Sequence, residues 1–206
     1  SASIVGRYIG LLCPLEGKYA HPCIKAIVNQ ISGIITMSNS EPICFIPLTK
    51  NSPQIELRPK SVESFPNSFI VCILAFIEPF FDSNFETFVS ITDDKGTVIS
   101  IGVEDKQLVF HVANKDKIKK CLVRRVPIGR WTWINTSVVT EDNIIKMNVL
   151  GGHHEPVSFE GFQPLSGYNT TVTFGTNTAK YSNIPTAYIS AGEIIKIDAP
   201  PPNCNH

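Results

Sequence analysis

Seven cations fall between Lys115 and Arg130: Lys115, Lys117, Lys119, Lys120, Arg124, Arg125 and Arg130, opposed only by Asp116. They are seven of 18 Lys and Arg residues in a chain whose formal net charge is zero. The charge is therefore segregated rather than in excess. Arg forks and Lys point charges at this density suit sulfate groups on a polysaccharide, and they steer anionic partners toward one surface. The same run also reads as a solvated connection that keeps a sheet edge from pairing. DNA and RNA fit less well, because no series of aromatic residues is interleaved with the cations.

Other groups bear chemistry more weakly. Asp93 and Asp94 are candidate calcium carboxylates, but Asp93-Asp94-Lys95-Gly96 is also hairpin-turn chemistry, the preferred reading. Asp105 has the same turn reading. His153-His154-Glu155 lies between Gly152 and Pro156 and reads as a loop, since adjacent residues rarely converge on one metal ion. His111 falls in a strand-like run and is expected to be structural. Trp131 and Trp133, two apart, share a face of a regular strand and are expected to pack rather than stack on a sugar. No GxSxG, HExxH, P-loop or GxGxxG occurs, and no clustered carboxylate pair for glycoside cleavage. The chain is read as a non-enzyme.

Six cysteines, Cys13, Cys23, Cys44, Cys72, Cys121 and Cys204, form neither CxxC nor a zinc pattern. With the sequons at Asn135 and Asn169 they favour a secreted or cell-surface setting, with disulfides and glycosylation. Ser1 shows no leader pattern, so the chain reads as mature. The longest apolar run, Phe69–Ile77, is strand length, so no direct membrane insertion is expected.

The elements that must position these groups are strands. Val126–Val139 turns at Pro127 and Gly129, then runs through Trp, Ile, Thr and Val. Phe69–Ile77 is apolar on both faces and is placed centrally. Phe85–Thr92, Thr97–Val103 and Gln107–Val112 form a meander with turns at Asp93–Gly96 and Glu104–Lys106. Trp131–Val139 and Ile144–Leu150 form a hairpin about Thr140–Asn143. Val157–Phe159, Thr171–Gly175 and Ala187–Ile197 close the fold, and Asn114–Arg125 is a basic connection. Upstream, Ser3–Leu12, Ile34–Met37, Ile43–Leu48 and the alternating stretch from Gln54 to Arg58 are strand candidates, and Ile24–Ile31 has helical spacing. The pattern predicts an all-β, two-sheet antiparallel jelly-roll sandwich. One domain spans 1–199, with 1–53 an N-terminal elaboration, 54–198 the core sandwich and 200–206 a proline-rich tail.

In this order the features resemble a family. Phe69–Phe76 looks like its early core strand, and Val89–Val112 like its three-strand meander. Gly129-Arg130-Trp131 with Ile134 and Thr136 looks like its Gly-x-Trp strand. Ile145–Gly151, Val172–Gly175 and Tyr188–Ile197 look like its later strands. This is the pattern of laminin G-like and thrombospondin N-terminal-like domains among the concanavalin A-like jelly rolls. The resemblance covers residues 54–198 and implies an extracellular setting, binding rather than catalysis, and in many members calcium at a sandwich rim. It also implies that Trp131 fills a core position.

Three disulfides are expected. Cys13–Cys23 follows from the prolines beside both residues and the short ring. Adjacent first and last strands, usual in such architectures, make Cys44–Cys204 plausible and leave Cys72–Cys121; Cys72 reads equally as a buried thiol. The functional expectation is an adhesion module binding a sulfated glycosaminoglycan through the basic loop Lys115–Arg130. The alternatives are a protein-receptor module contacting through 1–53 and a glycosidase-like jelly roll.

Overall fold

The computed structural model describes residues 4–11, 46–48, 55–57, 67–79, 85–151, 155–165, 170–175 and 187–198. Expectations on Cys13, Cys23, Cys44, Cys204, Asn169, His153, His154, Ile24–Ile31, Ile34–Met37 and the proline tail lie outside them.

Every described element is a strand, and every pairing is antiparallel. One sheet has seven strands, running β1 (Ile4–Leu11), β13 (Ala187–Ile197), β4 (Ser68–Ile77), β9 (Thr132–Glu141), β10 (Ile144–Val149), β11 (Val157–Glu160), with β2 (Ile46–Pro47) also on β13. The other has six, running β3 (Ile55–Leu57), β12 (Thr171–Phe174), β5 (Glu86–Thr92), β6 (Val98–Glu104), β7 (Gln107–Ala113), β8 (Ile118–Arg125). The two sheets form the expected jelly-roll-like sandwich. Its larger sheet takes β1 and β2 from the first 53 residues, so the sandwich does not begin at 54.

Alternation explains which side chains meet between the sheets. Phe69, Val71, Ile73, Ala75 and Ile77 of β4 face Val89, Ile91, Ile99, Ile101, Phe110 and Val112 of the smaller sheet. The other face of β4 is covered too: Ile70 and Cys72 are fully buried and Leu74 nearly so. That fits its place between β13 and β9. Gly192 on β13 sits under the ring of Phe174 on β12, where a Cβ has no room. The absence of a side chain there lets one sheet receive a phenyl group from the other.

Tight turns hold the registers. Asp105 and Lys106 (φ 48° and 63°) turn β6 into β7, and Asp142 and Asn143 (φ 51° and 59°) turn β9 into β10. Both are two-residue hairpins in the left-handed region, whose twist matches that of paired strands. The second is tighter than the expected Thr140–Asn143 turn because β9 runs on to Glu141.

Cys72 and Cys121 are not joined. Cys72 lies in the middle of the larger sheet and Cys121 on the edge strand of the smaller one, and both are thiols. The expected Cys72–Cys121 bridge is therefore corrected. Asn135 is 2% exposed on β9, opposite Cys72, which leaves no room for a glycan on its amide. Its sequon is read as unmodified in the folded chain.

Candidate functional site

The basic segment is not a loop. Ile118–Arg125 is β8, paired to β7 and forming the edge of the six-stranded sheet. Its hydrophobic pattern does not alternate because an edge strand meets water along much of both faces: residues 115–120 are all exposed. Strand geometry spreads the cations along roughly 25 Å of edge.

Alternation along β8 divides them. Lys119 and Cys121 pair with Val112 and Phe110, whose side chains point between the sheets. Lys119 accordingly reaches over the ring of Phe159, with Nζ 5.7 Å from its centroid. Lys117, one turn residue ahead of the strand, lies 4.7 Å over Phe162 and donates to the carbonyl of Glu160 at 2.9 Å. These two lysines lay their alkyl stems across the open side of the sandwich, between β8 and β11, while their ammonium groups stay at the surface. Phe159 and Phe162 beneath them are fully buried, with centroids 6.4 Å apart in an edge-on pair.

Lys120 points to the other face. Its Nζ donates to both carboxylate oxygens of Glu104, at 2.9 and 3.1 Å. It sits opposite His111, which in turn sits opposite Ser100, and Ser100 opposite Ser90. A polar row thus crosses four strands, with the two serine hydroxyls 3.2 Å apart. Phe85 stacks on the His111 ring at 5.7 Å. Burial, and then the charge of Lys120, hold the His111 pKa below its ordinary value, so the ring is neutral near pH 7. This row was not singled out from the sequence, because each strand contributes a single polar residue to it and only the register brings them together.

The remaining cations divide as follows. The stem of Lys115 packs against Gly96 at the turn between β5 and β6. Arg124 is half-buried, with Nε 3.4 Å from the Arg125 carbonyl, and Arg125 is exposed. Arg130 is exposed on a separate turn, where Gly129 (φ 71°) donates its amide to the Ile77 carbonyl at 2.8 Å. The fold therefore gathers six of the seven predicted cations on one edge and its leading turn, and leaves Arg130 on the connection to β9.

Asp93 is a turn residue. It is buried, and Oδ1 accepts the amides of Lys95 at 3.0 Å and Thr97 at 2.8 Å. Asp94 beside it is exposed, as is Glu155 of the His-His-Glu run. Trp131 does not fill the core: it is half-buried against Phe76, 5.6 Å away, and Trp133 is half-buried opposite Leu74. The residues of β9 that enter the core are Ile134 and Val138. Phe76 also meets Tyr188 at 6.1 Å, and burial and Glu78 together raise the Tyr188 hydroxyl above its ordinary pKa.

No protein-family model and no curated protein matches the chain. Several solved structures resemble it in shape. Domain 4 of an extracellular arabinanase from Geobacillus stearothermophilus is similar at 16% identity and a TM-score of 0.48, covering 78% of this chain and 77% of that one. An alginate lyase from Chlorella virus is similar at 10% identity and 0.49, covering 74% and 83%. A galectin of Caenorhabditis elegans is similar at 13% identity and 0.44, covering 73% and 94%. The class defined here, an antiparallel β-sandwich with a basic edge strand, rests on this chain's own strand order and register.

Proposed function

We propose that the protein is a non-catalytic binding module that holds a sulfated polysaccharide along β8 in an extracellular setting. The observation carrying this reading is the row of exposed Lys115, Lys117, Lys119, Lys120 and Arg125 with half-buried Arg124, along one sheet edge and its leading turn in a neutral protein. Cations set on a paired strand stay in a fixed array, so a linear polyanion meets several at once without ordering a loop. Lys117 is held by the Phe162 ring and the Glu160 carbonyl and Lys119 by the Phe159 ring, which restricts their ammonium groups in advance. Arg124 and Arg125 supply planar forks for sulfate at the far end of the strand. Glu104 masks Lys120 in the unbound protein, and a sulfate takes up that ammonium only by competing with the carboxylate. Arrayed heparin and chemically desulfated heparin test the reading. Retention on the sulfated chain alone supports it; equal retention on both excludes sulfate as the recognised group.

A further inference from the structure

The main chain of β8 offers a second mode of recognition. The amide of Asn114 donates to the carbonyl of Lys117 at 2.9 Å, which sets the hydrogen-bonding phase of the β7–β8 ladder. In an antiparallel pair, bonded residues alternate with non-bonded ones. With the register Val112 to Lys119 and Phe110 to Cys121, residues Lys117, Lys119 and Cys121 turn their main-chain groups toward β7. Ile118, Lys120 and Leu122 turn theirs away, and no strand among the described residues pairs with that side.

The side chains of the same three residues share the outer face of the sheet. Ile118 is 72% exposed and Leu122 50%, the two most exposed large hydrophobics among the described residues. An edge that no described strand pairs, bearing two apolar side chains on one face, is a template for strand addition. Glycan binding through the cations uses neither feature.

We infer that β8 receives an extended peptide segment as an added strand, with apolar residues alternating with carboxylates. Its main chain pairs with the outward groups of Ile118, Lys120 and Leu122. Its apolar side chains lie over Ile118 and Leu122, and its carboxylates, on the opposite face, meet Lys119 and, past the bulge in β8, Arg124. Charge complementarity selects this occupant over a second copy of the chain. Antiparallel self-pairing about Lys120 would set one basic strand against another, and like charges directly opposite each other repel.

The test uses a fluorescent synthetic peptide of alternating valine and glutamate, followed by anisotropy, with light scattering on the protein alone. A second peptide is N-methylated at alternate residues, which removes its donors and leaves its charge. The expected result is saturable binding of the first peptide and binding about tenfold or more weaker for the second, since several hydrogen bonds are lost together. The surface double variant Ile118→Ser, Leu122→Ser weakens the first peptide and leaves heparin retention unchanged. Equal affinity for the two peptides, showing capture by charge alone, overturns the inference. So does failure of the first peptide to bind, or a dimer in light scattering that the serine changes abolish. Because heparin retention is read on the same proteins, loss of either mode is distinguishable from loss of the other.

Discussion

Lys117 ties the edge of one sheet to the edge of the other: from the turn before β8 its ammonium donates to the carbonyl of Glu160, at the end of β11, at 2.9 Å. The same ammonium stands 4.7 Å over the buried ring of Phe162. One long side chain thus lids the sandwich and presents charge to solvent. Lys117→Ala is expected to lower stability by about 0.5–1 kcal/mol, the range for an exposed cation over a ring. Lys117→Arg should restore most of it. Chemical denaturation of the three proteins measures this, and an unchanged midpoint in the alanine variant would show that the contact contributes nothing.

The glycine under Phe174 gives a sharper packing prediction. Gly192→Ala puts a methyl group where the Phe174 ring lies, between the sheets. Overpacking of this kind costs about 1–3 kcal/mol. Adding Phe174→Leu should relieve part of that cost, so a double-mutant cycle is expected to show coupling. Additive effects would mean that the two residues do not meet.

Asp93 accepts two amides in its turn, so Asp93→Ala leaves those donors to water or unsatisfied. A loss of about 1–2 kcal/mol is expected in thermal or urea unfolding, from hydrogen bonds to a charged acceptor. Asp93→Asn should retain much of the stability, because its carbonyl oxygen accepts the same bonds.

His111 predicts a pH dependence. Its folded-state pKa lies below the ordinary 6.5, first through burial and then through Lys120. The unfolded chain therefore binds more protons at that site as the pH falls below about 6.5. The stability contributed by the neutral ring is complete above that value and is lost on acidification toward the lowered folded pKa. Ser100 opposite it and the stacked Phe85 are its other neighbours on that face, and Glu104 bridges the Lys120 ammonium. His111→Gln should flatten the part of the stability–pH curve that lies below about 6.5, where the depressed pKa acts. An unaltered slope would place the proton uptake elsewhere.

What was legible in the sequence follows from physical contrast. β4 stands out because both of its faces are buried, so its run Phe69–Ile77 is apolar throughout. The β5–β6–β7 meander is legible because its inward residues alternate and its turns carry Asp and Gly. β8 is the opposite case. Lys and Arg on an edge strand occupy positions that a buried strand would give to apolar residues, and the pairing partner, β7, supplies the order that the pattern lacks. Segregated charge marked the residues of this edge, while their secondary structure was hidden. Trp131 was misplaced for a related reason: spacing sets which residues share a face, but only the pairing of Ala75 with Thr132 and Leu74 with Trp133 sets which face meets the core.

The central claim is that β8 binds a sulfated chain through a fixed array of cations. The most direct measurement is the salt concentration that elutes the protein from immobilised heparin, compared with Lys120→Gln, Arg124→Gln, Arg125→Gln in one chain. These three changes leave the contacts of Lys117 and Lys119 with the aromatic rings in place, so the fold is kept. The account predicts retention that weakens steeply with salt and is largely lost in the triple variant, with an unchanged unfolding midpoint. Equal elution of the folded triple variant and the parent chain would contradict it.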